Sequence, residues 1–218
     1  KNISLSETDK INFVSLNKYS GAVKESKLSK DKIAVIYAVG EIESGEGDDE
    51  KIGSMRIAKA IRDARLDKNI KAIVLRVNSP GGSALTSELI WREIELTKKV
   101  KPVVVSMGNY AASGGYYIAM AADKIYSEPN TLTGSIGVFG MIPYFKEIAN
   151  KNGLSSHAVN TNANSNMYSP INGLTPGGIS MMTRSVEQTY KRFVHFVSQN
   201  RKKSFEQIDE VGGGRVWS

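Results

Sequence analysis

From residue 32 onward the chain alternates between two hydrophobic rhythms. Residues 33–39 (I-A-V-I-Y-A-V) read as a strand, which runs into a loop rich in glycine and acidic residues over 41–50. Ile52, Met55, Ala58 or Lys59, and Arg62 recur at helical spacing, so a helix is predicted over 52–65. Residues 72–77 (A-I-V-L-R-V) are almost continuously apolar, the pattern of a parallel strand covered on both faces. An amphipathic helix follows over 83–99, with Leu85, Leu89, Ile90 and Ile94 inward. A strand is expected over 103–106, a helix over 111–122, a short strand over 123–127, a helix over 144–152 and a strand over 154–159. A long helix opened by Thr175-Pro176 covers 175–201, and a short one covers 204–210. Strands alternating with helices predict a layered α/β domain over 32–218 with right-handed crossovers. Residues 1–31 are polar and weakly periodic and read as a linker or edge segment. No internal repeat is visible.

Composition narrows the functional classes. The 218 residues carry 29 Lys and Arg against 22 Asp and Glu, a formal charge of +7. The basic residues are spread rather than blocked, so a nucleic-acid partner has only bulk charge in its favour. With no cysteine, a thiol nucleophile, a disulfide scaffold and a zinc–thiolate site are excluded. The uncharged run 102–122 is broken by Pro102, Gly108, Asn109 and the Ser113-Gly114-Gly115 group, so it reads as strand, turn and helix rather than a membrane span. The chain begins at Lys1 without a signal-peptide pattern and is expected to be a fragment or a processed chain. Residues 152–183 hold no Lys, Arg, Asp or Glu and are rich in Asn, Ser and Gly. They read as a loop packed against another chain or a flexible flap.

Two strand-to-helix turns carry candidate chemistry. In Asn109-Tyr110-Ala111-Ala112-Ser113-Gly114-Gly115 a serine hydroxyl stands at a helix start, beside free backbone N–H groups. In Asn78-Ser79-Pro80-Gly81-Gly82-Ser83 the glycines expose N–H groups to close approach. At the ends of neighbouring strands, the two turns together make a nucleophile and an oxyanion hole. A buried small residue at Ser113 and a simple turn at Gly81-Gly82 are the plainer alternatives. His157, in a predicted strand, and His195, in an amphipathic helix, are the only histidines and read as structural.

With these motifs the chain resembles the signal peptide peptidase (protease IV) family of bacterial serine proteases. The matching runs are I-R-D-A-R (61–65), I-V-L-R-V-N-S-P-G-G (73–82), V-V-V-S-M-G-N-Y-A-A-S-G-G-Y-Y-I-A (103–119), T-L-T-G-S-I-G-V-F-G (131–140) and Y-K-R-F (190–193). The resemblance covers residues 32 to the end. It implies an α/β, Clp protease/crotonase-like layered fold and a Ser–Lys dyad acting on hydrophobic peptides, cleaved signal peptides included, without a cofactor or metal. Carried over by position, Ser113 matches the nucleophile, the N–H groups of Gly82 and Gly114 match the oxyanion hole, and Ser135 matches the serine that orients the lysine. The lysine itself departs from the pattern of the short members. Counted without gaps from Gly134 to Ser169-Pro170, its position is Ser165, and no lysine lies between Lys151 and Lys191.

That departure fits the long, two-domain members, in which the N-terminal half supplies the lysine. The chain then corresponds to the C-terminal half, truncated at its end. The resemblance further implies a homo-oligomer, a tetramer of two-domain chains, at the bacterial cell membrane on its extracytoplasmic side. Val138, Phe139, Met141 and Ile142 are candidates for an apolar specificity pocket. Two other classes stay open: a crotonase-like acyl-CoA enzyme, which needs an Asp or Glu base, and a non-catalytic half-domain or scaffold.

Overall fold

A computed structural model describes Ser15 and residues 29–218. Its chain contacts divide at Asp31/Lys32, and the unit Lys32–Ser218 holds every element described below. Strand β1 is Lys32–Val39, β2 Glu41–Glu43 and β3 Lys51–Gly53. Helix α1 is Ser54–Leu66, followed by β4, Ile70–Ser79. Helix α2 is Ala84–Lys98 and β5 is Val103–Ala112. The remaining elements are α3 (Gly114–Ala119), β6 (Lys124–Tyr126), β7 (Leu132–Gly134), α4 (Lys146–Lys151), α5 (Pro176–Arg201), α6 (Phe205–Val211) and β8 (Val216–Trp217).

The main sheet runs β1-β4-β5-β7-β8, parallel except for β8, and β6 also pairs with β5. Strand β5 serves two neighbours in turn. Its first half pairs β6 through Val104–Ser106, and its last three residues pair β7 in the register Tyr110↔Leu132, Ala111↔Thr133, Ala112↔Gly134. The expected strand over 103–106 therefore runs six residues further, and the helix expected from 111 starts only at Gly114. Backbone pairing across β7 overrides the helical preference of the two alanines.

Helices cover one face of the sheet. Ile73, Leu75, Val77, Val103, Val105, Ile36 and Ala38 point into that core, where Ile57, Ile61, Ile90, Ile94 and Ile118 meet them. On the opposite face Val35 and Tyr37 are exposed, and Val74 and Arg76 are half-buried. The alternation along β4 is that of a sheet buried on one side within this chain, not on both. A second cluster (Tyr117, Met120, Ile136, Phe193, Val194, Val197, Ile208) ties α3 to α5 and α6.

Caps account for several helix starts. Ser83 accepts from Thr86 N at 3.3 Å, and Thr175 accepts from Gly178 N at 2.9 Å, with Pro176 in the first turn. Ser204 and Gln207 form a reciprocal capping box.

Two helix faces differ from expectation. On α1 the buried residues are Ser54, Ile57, Ile61 and Ala64, while Met55 faces solvent. On α2, Leu85 and Leu89 are 68% and 49% exposed, whereas Thr86, Ser87, Ile90, Glu93, Ile94 and Thr97 are buried. Glu93 tolerates burial because Arg62 and Arg65 of α1 donate to its two oxygens, at 2.6 and 3.0 Å. Residues 154–159 form no strand and are exposed, His157 among them. The charge-free segment 152–183 consists of turns and loop up to the start of α5, with Met167 buried and Val159 fully exposed.

Candidate active site

Strands β4 and β5 end side by side, with Ser79 opposite Ala111, so the turns that follow them rise together at one edge of the sheet. In the first turn Gly81 N donates to Ser79 Oγ at 3.1 Å, which leaves the next amide free. Ile42 of β2 closes on this turn as a parallel bridge: Ile42 N donates to Gly81 O at 2.8 Å and Ser83 N donates to Ile42 O at 2.7 Å. In such a bridge the partner residue's own N–H and C=O point away, so Gly82 presents both to the open side. Gly82 has φ +145°, and a Cβ there would lie 2.2 Å from Ile42 O, so no larger residue fits without displacing β2.

In the second turn Ser113 takes φ 51° and ψ −120°, a conformation that costs an L-residue roughly 1–3 kcal/mol. Its N–H is held by Gly134 O at 2.9 Å and its carbonyl accepts from Tyr117 N at 2.9 Å. Its hydroxyl, by contrast, has no hydrogen-bond partner among the described residues. The Gly114 N–H opens α3 and also has no acceptor among the described residues. A Cβ on Gly114 would lie 3.3 Å from Gly82 N and 2.6 Å from Ser87 Oγ, so the two free amides flank one spot that only a glycine leaves clear. The arrangement is a strained serine on a strand-to-helix turn with two N–H donors beside it.

Ser135 follows Gly134 on β7 as Ser113 follows Ala112 on β5, and Ala112 and Gly134 are paired. Each serine thus stands immediately past one member of the last pair of this ladder. Ser135 is also strained, at φ 48°, and its N–H donates to Arg215 O at 2.6 Å. Its hydroxyl likewise has no partner among the described residues.

Ser113, Gly114, Gly82 and Ser135 all line one cavity of about 960 Å³. Val138, Phe139, Val186 and Phe193 give it apolar walls; Met141 and Ile142, expected to join them, are not part of the lining. Among the described residues Glu41 and Glu187 are its charged groups, and no lysine, arginine or histidine lines it. Lys124, Lys146, Lys151, Ser165 and His195 are exposed and outside it. Sequence reasoning missed Tyr117 and Tyr190 as lining residues. Tyr190 stands in the Y-K-R-F run, and Tyr117 lies one helical turn after Ser113, a spacing that could have pointed to it. Burial, helped by Glu88, pushes the Tyr117 hydroxyl well above the ordinary tyrosine range. Tyr190 is raised by burial and by its bond to Asp209.

Comparison with known proteins gives the family and the fold. The model of peptidase family S49 matches residues 95–218, and that of Clp protease matches residues 27–133. Protease 4 of Salmonella typhi is 44% identical over 208 residues, 95% of this chain and 34% of its own length. The chloroplastic serine protease SPPA of Arabidopsis thaliana is 36% identical over 229 residues, 99% of this chain and 33% of its own. The chain thus spans about a third of the length of these relatives. A ClpP1 mutant from Listeria monocytogenes superposes with a TM-score of 0.52 at 16% identity, covering 81% of this chain and 77% of that one. At that identity the likeness is one of fold, and the layered α/β architecture is of the Clp protease/crotonase-like type.

Proposed function

The chain belongs to peptidase family S49, and from that premise we propose that it carries the nucleophile of a serine endopeptidase whose general base, a lysine, is supplied from another part of a longer protein. The observation that carries this reading is the Ser113 hydroxyl set beside the Gly82 and Gly114 amides, all three unpartnered among the described residues, in a cavity that no described lysine or histidine lines. The relatives' greater length supports an N-terminal half as the source of the lysine.

In the reaction Ser113 Oγ attacks the scissile carbonyl carbon while the neutral lysine takes its proton. The carbonyl oxygen becomes an oxyanion held by the Gly82 and Gly114 N–H groups, each such donor being worth about 3 kcal/mol in the transition state. The lysine then gives its proton to the departing amine, and the C–N bond breaks to leave an acyl-serine. A water, deprotonated by the same lysine, hydrolyses that ester and restores Ser113. A lysine works as a base only when neutral, against an ordinary pKa of about 10.4. A dry site and a hydrogen bond from Ser135, donated to the neutral amine, bring it toward ~7–8.

Gly82's outward N–H and C=O suit an extended peptide added as a further strand. The apolar walls suit hydrophobic segments such as those of cleaved signal peptides. The exposed apolar side chains of the charge-free segment, Leu154, Val159, Tyr168 and Ile179, support burial in a homo-oligomer, a tetramer of two-domain chains. Action at the bacterial membrane on the extracytoplasmic side follows from the substrate class. Among the described residues no helix is long and apolar enough to cross a membrane.

The test is Ser113→Ala in the full-length protein, assayed on a hydrophobic peptide ester: turnover should fall at least a thousandfold, on the order of ~4 kcal/mol, with folding retained. Chain 1–218 alone should be silent and gain activity when the N-terminal half is added. Robust Ser113-dependent hydrolysis by the isolated chain would overturn the two-part reading. Glu41 and Glu187 keep an acyl-CoA reading testable, since either could act as its base; coenzyme A binding would favour it.

A further inference from the structure

We propose that Tyr190 and Asp209 form a latch that positions Ser135, and through Ser135 the catalytic lysine; the inference rests on the role given to Ser135 above. A serine at φ 48° stays there only if its surroundings hold it. The frame that holds it is residues 214 and 215: Ser135 N donates to Arg215 O at 2.6 Å, and Gly214 N donates to Ile136 O at 2.9 Å. These bonds extend the β7–β8 ladder past Gly134↔Val216.

The frame itself is intrinsically loose. It follows the run Gly212-Gly213-Gly214, in which Gly213 and Gly214 have φ +67° and +82° and a Cβ on either would touch nothing. Glycines have the most conformational freedom to lose and bring no side chain to pack. One side chain among the described residues is hydrogen-bonded to 212–215, the Tyr190 hydroxyl, which accepts from Gly213 N at 3.1 Å. The same hydroxyl donates to Asp209 Oδ1 at 2.5 Å, so its proton is committed and its lone pair faces Gly213. Tyr190 stands on α5 one turn before Phe193 and Val194, which are buried in the second core cluster. A helix thus holds the glycine run at Gly213, the residue directly before the pair that fixes Ser135. Tyr190 and Asp209 are positioning residues; neither needs to touch the reacting atoms.

The test uses the full-length enzyme and a hydrophobic peptide ester. Asp209 is exposed and is not itself part of the cavity lining, so Asp209→Ala removes no side chain from the core or from the substrate walls. Asp209→Ala should lower kcat roughly tenfold, a part of the ~100–10,000-fold that positioned proton transfer supplies, with KM within about twofold. Asp209→Asn keeps an acceptor oxygen and should restore kcat. Tyr190→Phe should lower kcat similarly, and neither change should lower it further in a Ser135→Ala background. If Ser135→Ala lowers kcat while Asp209→Ala does not, the latch is wrong and the role of Ser135 stands. Effects that multiply with Ser135→Ala, or a raised KM at unchanged kcat, also overturn the latch. If Ser135→Ala leaves kcat unchanged, both readings fall.

Discussion

Replacing Ser113 with glycine should abolish turnover of the full-length protein and yet leave the chain more stable than Ser113→Ala does. With φ 51° and ψ −120°, Ser113 sits where an L-residue is strained and glycine is not. Alanine at 113 keeps the Cβ and therefore the strain; glycine removes both. Relief of strain favours glycine by roughly 1–3 kcal/mol. Greater chain entropy in the unfolded state opposes it by about 0.4–1 kcal/mol, and loss of a half-buried Cβ by about 0.4 kcal/mol. The net is about +1 kcal/mol for Ser113→Gly over Ser113→Ala, or a Tm higher by about 2–4 °C for a chain of this size. Thermal and urea unfolding of the two variants, side by side, measure the difference. A glycine variant no more stable than the alanine variant would show that the turn holds no strain energy, and the argument from Ser113's backbone would fail.

Three further outcomes are expected. Ile90→Ala, at a fully buried position, should cost about 2–5 kcal/mol, whereas Leu89→Ala next to it should cost under about 1 kcal/mol, by urea unfolding. Gly82→Ala drives a Cβ to 2.2 Å from Ile42 O at φ +145°, so it should both destabilise the chain, by at least ~2 kcal/mol, and reduce peptide-ester turnover of the full-length protein by more than ~100-fold. The Tyr117 hydroxyl is held protonated by burial, so above pH ~10 the unfolded state releases this proton first and binds fewer protons than the folded state. Stability is therefore present below pH ~10 and falls above it, and Tyr117→Phe should flatten that alkaline loss in denaturant titrations at stepped pH.

The strong rhythms of the chain were legible, and the elements they mark are where they were expected. What escaped was set by pairing rather than periodicity. Strands β7 and β8 have three and two residues, too few to show a period, and exist because β5 and each other offer ladders. The buried stripe of α2 was misread because hydrophobicity pointed to Leu85 and Leu89, while the structure buries Glu93 and Thr97 instead. Glu93 is neutralised by two arginines from α1, and Thr97 Oγ1 donates to Glu93 O at 2.7 Å. A strand over 154–159 was read from apolar residues that have no partner strand within the described residues. That Ser113, Gly114 and Gly82 stand on two adjacent turns beside one cavity was legible because turn chemistry is local. Tyr190 is visible in a motif, but its hydroxyl bonds a loop 23 residues away, which no local pattern reveals.

The bridge made by Ile42 has a mechanical consequence. Its backbone grips the Gly81–Ser83 turn from both sides, and its side chain, 1% exposed, reaches to 3.1 Å from the point a Gly114 Cβ would occupy. One residue is thus the common datum for two amides that belong to different strands. The gauge between the two amides is set by a three-residue strand outside the main sheet, not by the β4–β5 ladder alone.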